Sequence, residues 1–137
     1  MKTRIGLTKS RNGKDMKTTY FGKLRSLDPA RFIIVPVCAH PPKGVVAGAS
    51  LPSVIPGWLR LVRPFKEGLI TETEYESMYL RQLDGNRDEI LRQVRALAEM
   101  AGGKEILFCC FEKSSDWFHR HILARWLRKE GFDVDEL

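Results

Sequence analysis

The 137 residues are enough for one domain with a single hydrophobic core that needs neither a metal nor a disulfide for support. With 43% apolar and 29% charged residues, the composition is that of a globular protein, and no apolar run approaches the roughly 20 residues of a membrane span. The formal net charge of +6 excludes a strongly acidic protein and favours anionic partners. We expect no secretory signal, because the charged N-terminus lacks an apolar segment. The 3 cysteines are an odd number, which predicts reduced thiols and a cytoplasmic location.

The positive charge is concentrated at the N-terminus. Residues 1–25 contain eight basic residues and one acidic residue, Asp15, so the remainder of the chain is close to neutral. This charge excess predicts contact with a phosphate-rich partner, although a solvated arm has the same composition. We therefore interpret residues 1–16 as a basic N-terminal arm and residues 17–137 as the folded domain.

Two strands are predicted in the first part of the chain. Either Arg4–Leu7 or Thr18–Phe21 supplies one, and the apolar, β-branched run Phe32–Cys38 forms a buried strand that Pro36 marks as an edge or a bulge. The segment Pro36–Pro64 holds six of the 7 prolines, which excludes a long helix and predicts a lid or a binding loop. Four apolar residues are expected to attach the far end of this loop to the core, namely Trp58, Leu59, Leu61 and Val62.

Two helices are predicted after the loop. Thr71 and Glu74 have the spacing of a capping box, which starts the first of them. The second begins near Asn86 or Asp88, carries an apolar stripe at helical spacing, and ends at Gly102–Gly103.

A strand and a final helix complete the predicted fold. The run from about Ile106 to Phe111 is apolar on both faces, so we expect a central strand covered by helices. Ser114, Ser115 or Asp116 caps the last helix, which ends at Gly131. The order of elements predicts a single three-layer α/β domain with a mostly parallel sheet flanked by helices.

Reactive side chains lie at the ends of two predicted strands, Phe32–Cys38 and Ile106–Phe111. Cys38 and His40 come at the end of one, and Cys110 and Glu112 at the end of the other. Open α/β sheets bind ligands at the carboxyl ends of their strands, so these side chains are predicted to face one crevice. The predicted catalytic residues are Cys110, Glu112 and His119. The predicted ligand-binding residues are Lys113, Ser114, Ser115, Arg120, Cys38 and His40.

The last helix places its polar residues on different faces. At about 100° per residue, His119 falls on the buried stripe, Arg120 lies to one side of it, and His121 faces solvent. The helix N-terminus, Lys113 and Arg120 suit a phosphate or a carboxylate. Glu112 and His119 suit general acid–base work, since the pKa of an unperturbed histidine is about 6.5. Cys110 is a nucleophile only if its thiolate is stabilised.

Each of these residues also has a structural interpretation. A histidine on an apolar face is usually a satisfied core residue, and a free cysteine is often a small core residue. A zinc site drawing on Cys38, His40, Cys110 and His119 lacks paired ligand spacing. The position at which a cysteine phosphatase carries its arginine holds Asp116. Walker and dinucleotide-binding motifs are absent, so we predict no metal and no cofactor.

The stretch LFCCFEKSSDWFHRHILARWL (residues 107–127) resembles the C-terminal signature of the domain of unknown function 488 (DUF488) family of bacteria and phages. TTYFGKL, the Pro-rich middle and EYESMYLRQL are similar to its earlier motifs. The resemblance implies an intracellular α/β protein with a site at Cys110, Glu112, His119 and Arg120, but it names no reaction. The family usually has cysteine before the His-Arg pair, where this chain has Phe118.

Three functions are consistent with these observations. The first is a small enzyme, or a binder derived from one, that acts on a nucleotide or a nucleic-acid component. The second is a non-catalytic nucleic-acid-binding protein whose N-terminal arm tracks phosphates, with Arg60, Arg63 and Lys66 extending the footprint. The third is an inhibitor or adaptor, possible for a phage-like protein, which an exposed apolar patch at Trp58 and Leu59 would favour. The expected partner is thus an anionic small molecule or a nucleic acid.

Deletion of residues 1–15 tests the role of the arm. We expect weaker binding of an oligonucleotide at low salt, because five basic residues are lost, and unchanged binding of small ligands in the crevice. Fluorescence anisotropy over a salt series measures the first and thermal shift the second. If the oligonucleotide affinity is the same with and without residues 1–15, these residues do not contribute to binding.

Overall fold

The computed structural model describes residues 16–111 and 114–137, and the side chains of these residues except those of 114–118. The described strands are β1 (Met16–Tyr20), β2 (Phe32–Pro36), β3 (Glu105–Cys110) and β4 (Val134–Glu136). The described α-helices are α1 (Arg63–Lys66), α2 (Glu72–Gly85), α3 (Arg87–Met100) and α4 (Ser114–Lys129). Shorter elements are the 3-10 helices Phe21–Ser26, Pro29–Arg31 and Pro52–Val54, and a π-helical turn, Trp58–Val62.

All four strands run parallel in one sheet with the order β2-β3-β1-β4. β3 lies between β1 and β2, and its residues from Ile106 to Cys110 are 0% exposed, as a central strand apolar on both faces requires. β2 is an edge strand and ends at Pro36, whose missing N–H would interrupt a central strand. The predicted α/β fold with a parallel sheet is confirmed.

The two faces of the sheet are covered differently. Ile106, Phe108 and Cys110 face the larger core, which α2, α3 and α4 complete. Leu107 and Cys109 point to the opposite face, where the 3-10 helix beginning at Phe21 and the loop around Val45 pack. Among the described residues, this third layer contains no long helix. No helix of the described ranges is long and apolar enough to cross a membrane.

The first strand corresponds to the second of the two predicted alternatives, Thr18–Phe21. Met16, the first described residue, begins this strand and is 0% exposed. The alternative strand Arg4–Leu7 and the remainder of the arm lie outside the described residues.

β4 is a strand that the sequence interpretation missed. The chain leaves α4 at Gly131, whose φ of 103° belongs to the left-handed region, as predicted for a glycine that ends a helix. The N–H of Phe132 donates to the carbonyl of Leu127 at 3.0 Å, which closes this turn. The turn directs Val134–Glu136 to the edge of the sheet beside β1.

Side-chain contacts attach α4 to α2. The indole N–H of Trp126 donates to Asp84 at 2.8 Å, and Arg125 pairs with Glu76 at 2.8 Å. α2 itself starts with the predicted capping box. The Thr71 hydroxyl accepts from the Glu74 N–H at 3.1 Å, and the Glu74 carboxylate accepts from the Thr71 N–H at 2.8 Å.

Replacement of the capping threonine, Thr71→Ala, should lower the free energy of unfolding by about 1 kcal/mol, because one N–H at the start of α2 loses its acceptor. Urea denaturation measures this loss. Thr73→Ala is the matched control, since Thr73 is exposed in the first turn and is no cap. Equal destabilisation by both changes would show that capping is not the cause.

Candidate functional site

A hollow of about 200 Å³ lies at the carboxyl ends of β2 and β3. We call it the strand-end hollow. It brings together residues that follow the two strands, residues of the Pro-rich loop and α1, and one residue of α4. Its main lining residues are Cys38, His40, Trp58, Val62, Lys66, Phe111 and His119. Of the residues predicted to share one crevice, Cys38, His40 and His119 line this hollow, and Cys110 and Arg120 do not.

The loop that carries Trp58 is attached to α2 by polar contacts. The Gln82 amide nitrogen donates to the carbonyls of Ser53 at 3.0 Å and Ile55 at 2.8 Å, and its oxygen accepts from the Gly57 N–H at 3.3 Å. The Tyr79 hydroxyl donates to the Val54 carbonyl at 2.5 Å. These bonds give a proline-rich segment a definite position beside the strand ends.

Two of the four apolar residues expected to attach this loop to the core do not do so. Leu61 is 3% exposed, and Val62 packs against the core. Trp58 is 43% and Leu59 is 71% exposed, so the prediction for these two is wrong. The physical reason is the π-helical turn, which turns Leu61 inward and leaves Trp58 at the rim of the hollow.

His119 faces the interior, as predicted, and also lines the hollow. It is 2% exposed, and its Nε2–H donates to the Val37 carbonyl at 2.9 Å, since a carbonyl oxygen only accepts. Its ring meets the ring of Tyr79 edge-on, with centroids 6.2 Å apart. His119 thereby connects α4 to the chain just beyond β2.

Arg120 is buried, which contradicts the expectation that it lies off the buried stripe. It is 3% exposed, and its guanidinium pairs with Glu136 of β4 at 2.7 Å. Another of its N–H groups donates to the Cys110 sulfur at 3.4 Å. The guanidinium carbon also lies 5.9 Å from the ring centroid of Tyr20. The chain reaches Glu136 only because β4 joins the sheet, so helical periodicity alone gave the wrong environment for Arg120.

The pKa values of Glu136 and of the neighbouring His121 are both shifted. Partial burial acts to raise the pKa of Glu136, but the hydrogen bonds from Arg120 and Thr18 outweigh it and hold this pKa below its usual value. His121 is half-buried and not in solvent as predicted, and burial lowers its pKa. Arg120 does not line the strand-end hollow.

The three cysteines differ in accessibility. Cys110 is 0% exposed and does not line the hollow, so the structure separates it from Cys38 and His40. Cys109 is also fully buried, and burial raises its pKa to about 12. Cys38 is the cysteine with partial exposure, and it is the thiol that a ligand in the hollow would meet.

The structure does not describe the side chains of the remaining predicted site residues. Glu112 and Lys113 lie outside the described residues, and the side chains of Ser114, Ser115 and Phe118 are likewise not described. Their predicted roles therefore stay predictions. Within residues 16–111 and 114–137, no group of three or more His, Cys, Asp or Glu side chains has the arrangement of a metal site.

The hollow also contains an aromatic and a basic residue that were not among the predicted site residues. Phe111 and Lys66 line the hollow, with the Lys66 ammonium 5.6 Å from the Trp58 ring centroid. Glu136 was missed because a three-residue strand gives almost no periodic signal; the alternation of apolar Phe132 and Val134 with Asp133 and Asp135 was a weak hint of a strand before it. A larger groove of about 600 Å³ lies on the face of the sheet opposite the larger core, but none of the described predicted residues lines it.

No model of a known protein family matches this chain, and comparisons with curated proteins and with solved structures gave no significant match.

Removal of the carboxylate charge by Glu136→Gln should lower the free energy of unfolding at neutral pH by about 2 kcal/mol, because Arg120 stays buried without its counter-charge. Since the pKa of Glu136 is lowered in the folded state, its stabilisation is present above the ordinary glutamate pKa of about 4.3 and is lost as pH falls through the folded value. Urea denaturation between neutral and acid pH should show the two proteins converging in acid. Asp135→Asn, at an exposed neighbour, is the control and should change little.

Proposed function

We propose that this protein binds a phosphate-bearing ligand with a planar ring, such as a nucleotide or a nucleic-acid component, in the strand-end hollow. The observation that carries the proposal is the meeting of Trp58, Phe111, His119 and Lys66 at the carboxyl ends of parallel strands. Such sheet edges are the usual ligand sites of open α/β folds.

The size of the hollow favours a single ring system. Pockets for drug-sized ligands usually measure about 300–1,000 Å³, and the hollow measures about 200 Å³. A base or another aromatic ring fits such a space, while the sugar and phosphate stay outside it. Aromatic side chains bind bases of any sequence, because every base has a π-face.

The charges at the hollow favour an anion outside the ring. Lys66 is exposed at the rim, His40 is exposed beside it, and no Asp or Glu of the described residues lines the hollow. A ring that stacks on Trp58 would carry its phosphate close to the Lys66 ammonium. Lysine binds phosphate as a point charge, which tolerates several ligand geometries.

Membership of the DUF488 family is likewise a proposal. It is supported by the environment of residues that carry the resemblance: the Arg120 guanidinium donates to the Cys110 sulfur at the end of β3, and His119 donates to the Val37 carbonyl just beyond β2. We propose binding and no reaction, because Cys110, the predicted nucleophile, is fully buried.

Trp58→Ala should weaken the binding of nucleoside monophosphates by about tenfold or more, because stacking on an aromatic side chain contributes about 1–3 kcal/mol. Thermal shift and calorimetric titration measure the loss. Alkylation of Cys38 gives a second readout, since a bound ring should protect this partly exposed thiol, whereas Cys109 and Cys110 are buried.

Leu59→Ala is the matched control, because Leu59 is the exposed neighbour of Trp58 and does not line the hollow. It should leave nucleotide affinity unchanged. If the two variants weaken binding equally, or if nucleotides neither shift the melting temperature nor protect Cys38, the proposal is wrong.

A second candidate function is non-catalytic binding of a nucleic acid or a protein through the surface around Trp58. The exposure of Leu59 (71%) and Trp58 (43%) favours it, because large apolar side chains exposed side by side often mark contact surfaces. Salt separates this candidate from the first. Phosphate tracking weakens steeply as ionic strength rises, whereas binding in the hollow should respond much less.

A further inference from the structure

A second concave surface lies beside the strand-end hollow. We call it the arginine groove; it measures about 380 Å³ and is lined by Gly57, Arg60, Leu61, Met78, Arg81 and Gln82. The same π-helical turn borders both surfaces, because Gly57 lines the groove and its neighbour Trp58 lines the hollow. The two surfaces therefore adjoin across this turn.

The arginine groove carries positive charge without a described counter-charge. Arg60 forms no ion pair with any residue in the described part of the chain, and the contact of Arg81 there is a hydrogen bond to the Ser77 hydroxyl at 3.4 Å. By contrast, Arg63, close to the groove in sequence, pairs with Glu67 at 3.3 Å. No Asp or Glu of residues 16–111 or 114–137 lines the groove. Two guanidinium groups that face one groove without a carboxylate attract an anion with more than one charge.

The floor of the groove has a definite shape. Leu61 is 3% exposed and provides an apolar base, and Gln82 holds the N–H of Gly57 through a hydrogen bond. Since α2 supplies Met78, Arg81 and Gln82, the two arginines stand on elements that are bonded to each other. Arginine binds phosphate in a bidentate manner, which gives such a groove directional preference.

We infer that the arginine groove binds the phosphate backbone of a single-stranded nucleic acid, one base of which occupies the strand-end hollow. The inference rests on the proposed function and extends it from a mononucleotide to an oligonucleotide. Alternation of an aromatic platform with a basic groove is the arrangement by which single strands are bound with little sequence preference. An acidic peptide would match the arginines but would leave the aromatic hollow without a ring to bind.

The test compares variants of the full chain in fluorescence anisotropy with an oligothymidylate of about 12 nucleotides, within the site size of single-strand binders. The paired change Arg60→Gln and Arg81→Gln should lower the slope of log affinity against log salt by about 1.4, because each phosphate contact on a single strand contributes about 0.7. The charge-retaining pair Arg60→Lys and Arg81→Lys should restore most of the slope. Both arginines are exposed, so the fold should tolerate these changes.

The matched control is Arg92→Gln with Arg95→Gln, which removes the same charge from exposed positions of α3 that line neither surface. The control should keep the slope of the unmodified protein. An equal fall in the control, or an unchanged slope in the groove variant, overturns the inference. Binding of polyglutamate in the groove without binding of the oligonucleotide overturns the assignment of nucleic acid as the occupant.

Thymidine monophosphate separates the two proposals. The groove variant should bind it as tightly as the unmodified protein, because a mononucleotide does not cross the turn, while Trp58→Ala should bind it less tightly. If Trp58→Ala leaves the affinity for thymidine monophosphate unchanged but the groove variant has a lower salt slope for the oligonucleotide, the proposed function is wrong and the inference about the groove is supported. If Trp58→Ala weakens mononucleotide binding but the groove variant keeps the salt slope, the inference about the groove is wrong and the proposed function is supported.

Discussion

Two adjacent residues of α4 contact the ends of all four strands. His119 donates to the carbonyl of Val37, just beyond β2, while Arg120 contacts Cys110 at the end of β3, the ring of Tyr20 at the end of β1, and Glu136 in β4. The terminal helix is thereby fixed to the carboxyl edge of the sheet. A buried cation is costly unless it is paired and fully hydrogen-bonded, so this arrangement depends on β4 supplying its carboxylate.

This contact divides the carboxyl edge into two parts. On the side of β1 and β4, the guanidinium and its carboxylate fill the space, and Arg120 has its hydrogen bonds satisfied within the protein. On the side of β2, the chain leaves the sheet and the strand-end hollow remains open. His119 lies between the two parts: it lines the hollow and is the residue before Arg120 in α4. Trp58, Lys66 and Cys38 line this open part, whereas Arg120 is buried against Glu136.

The Pro-rich loop borders both the strand-end hollow and the arginine groove. Gln82 and Tyr79 of α2 satisfy its backbone groups, so it holds one conformation without forming a long helix. Its π-helical turn exposes Trp58 between the hollow and the arginine groove. Such turns occur often at functional sites, because they re-aim side chains that a regular helix would bury. Residues 1–25, with eight basic residues and one acidic residue, carry charge of the same sign as the arginine groove.

Local pattern in the sequence by itself predicted strands at Phe32–Cys38 and at about Ile106–Phe111, which overlap the observed β2 and β3. It also predicted the capping box of α2, the glycine that ends α4 and the burial of His119, because each depends on neighbouring residues. It also determined that Cys38, His40 and His119 share one sheet edge, since parallel strands end together. Only the tertiary structure decided the environment of Arg120, because its partner lies 16 residues away in a strand too short to have a period. The exposure of Trp58 was decided in the same way, by polar bonds from α2 to a loop whose proline-rich sequence has no regular pattern.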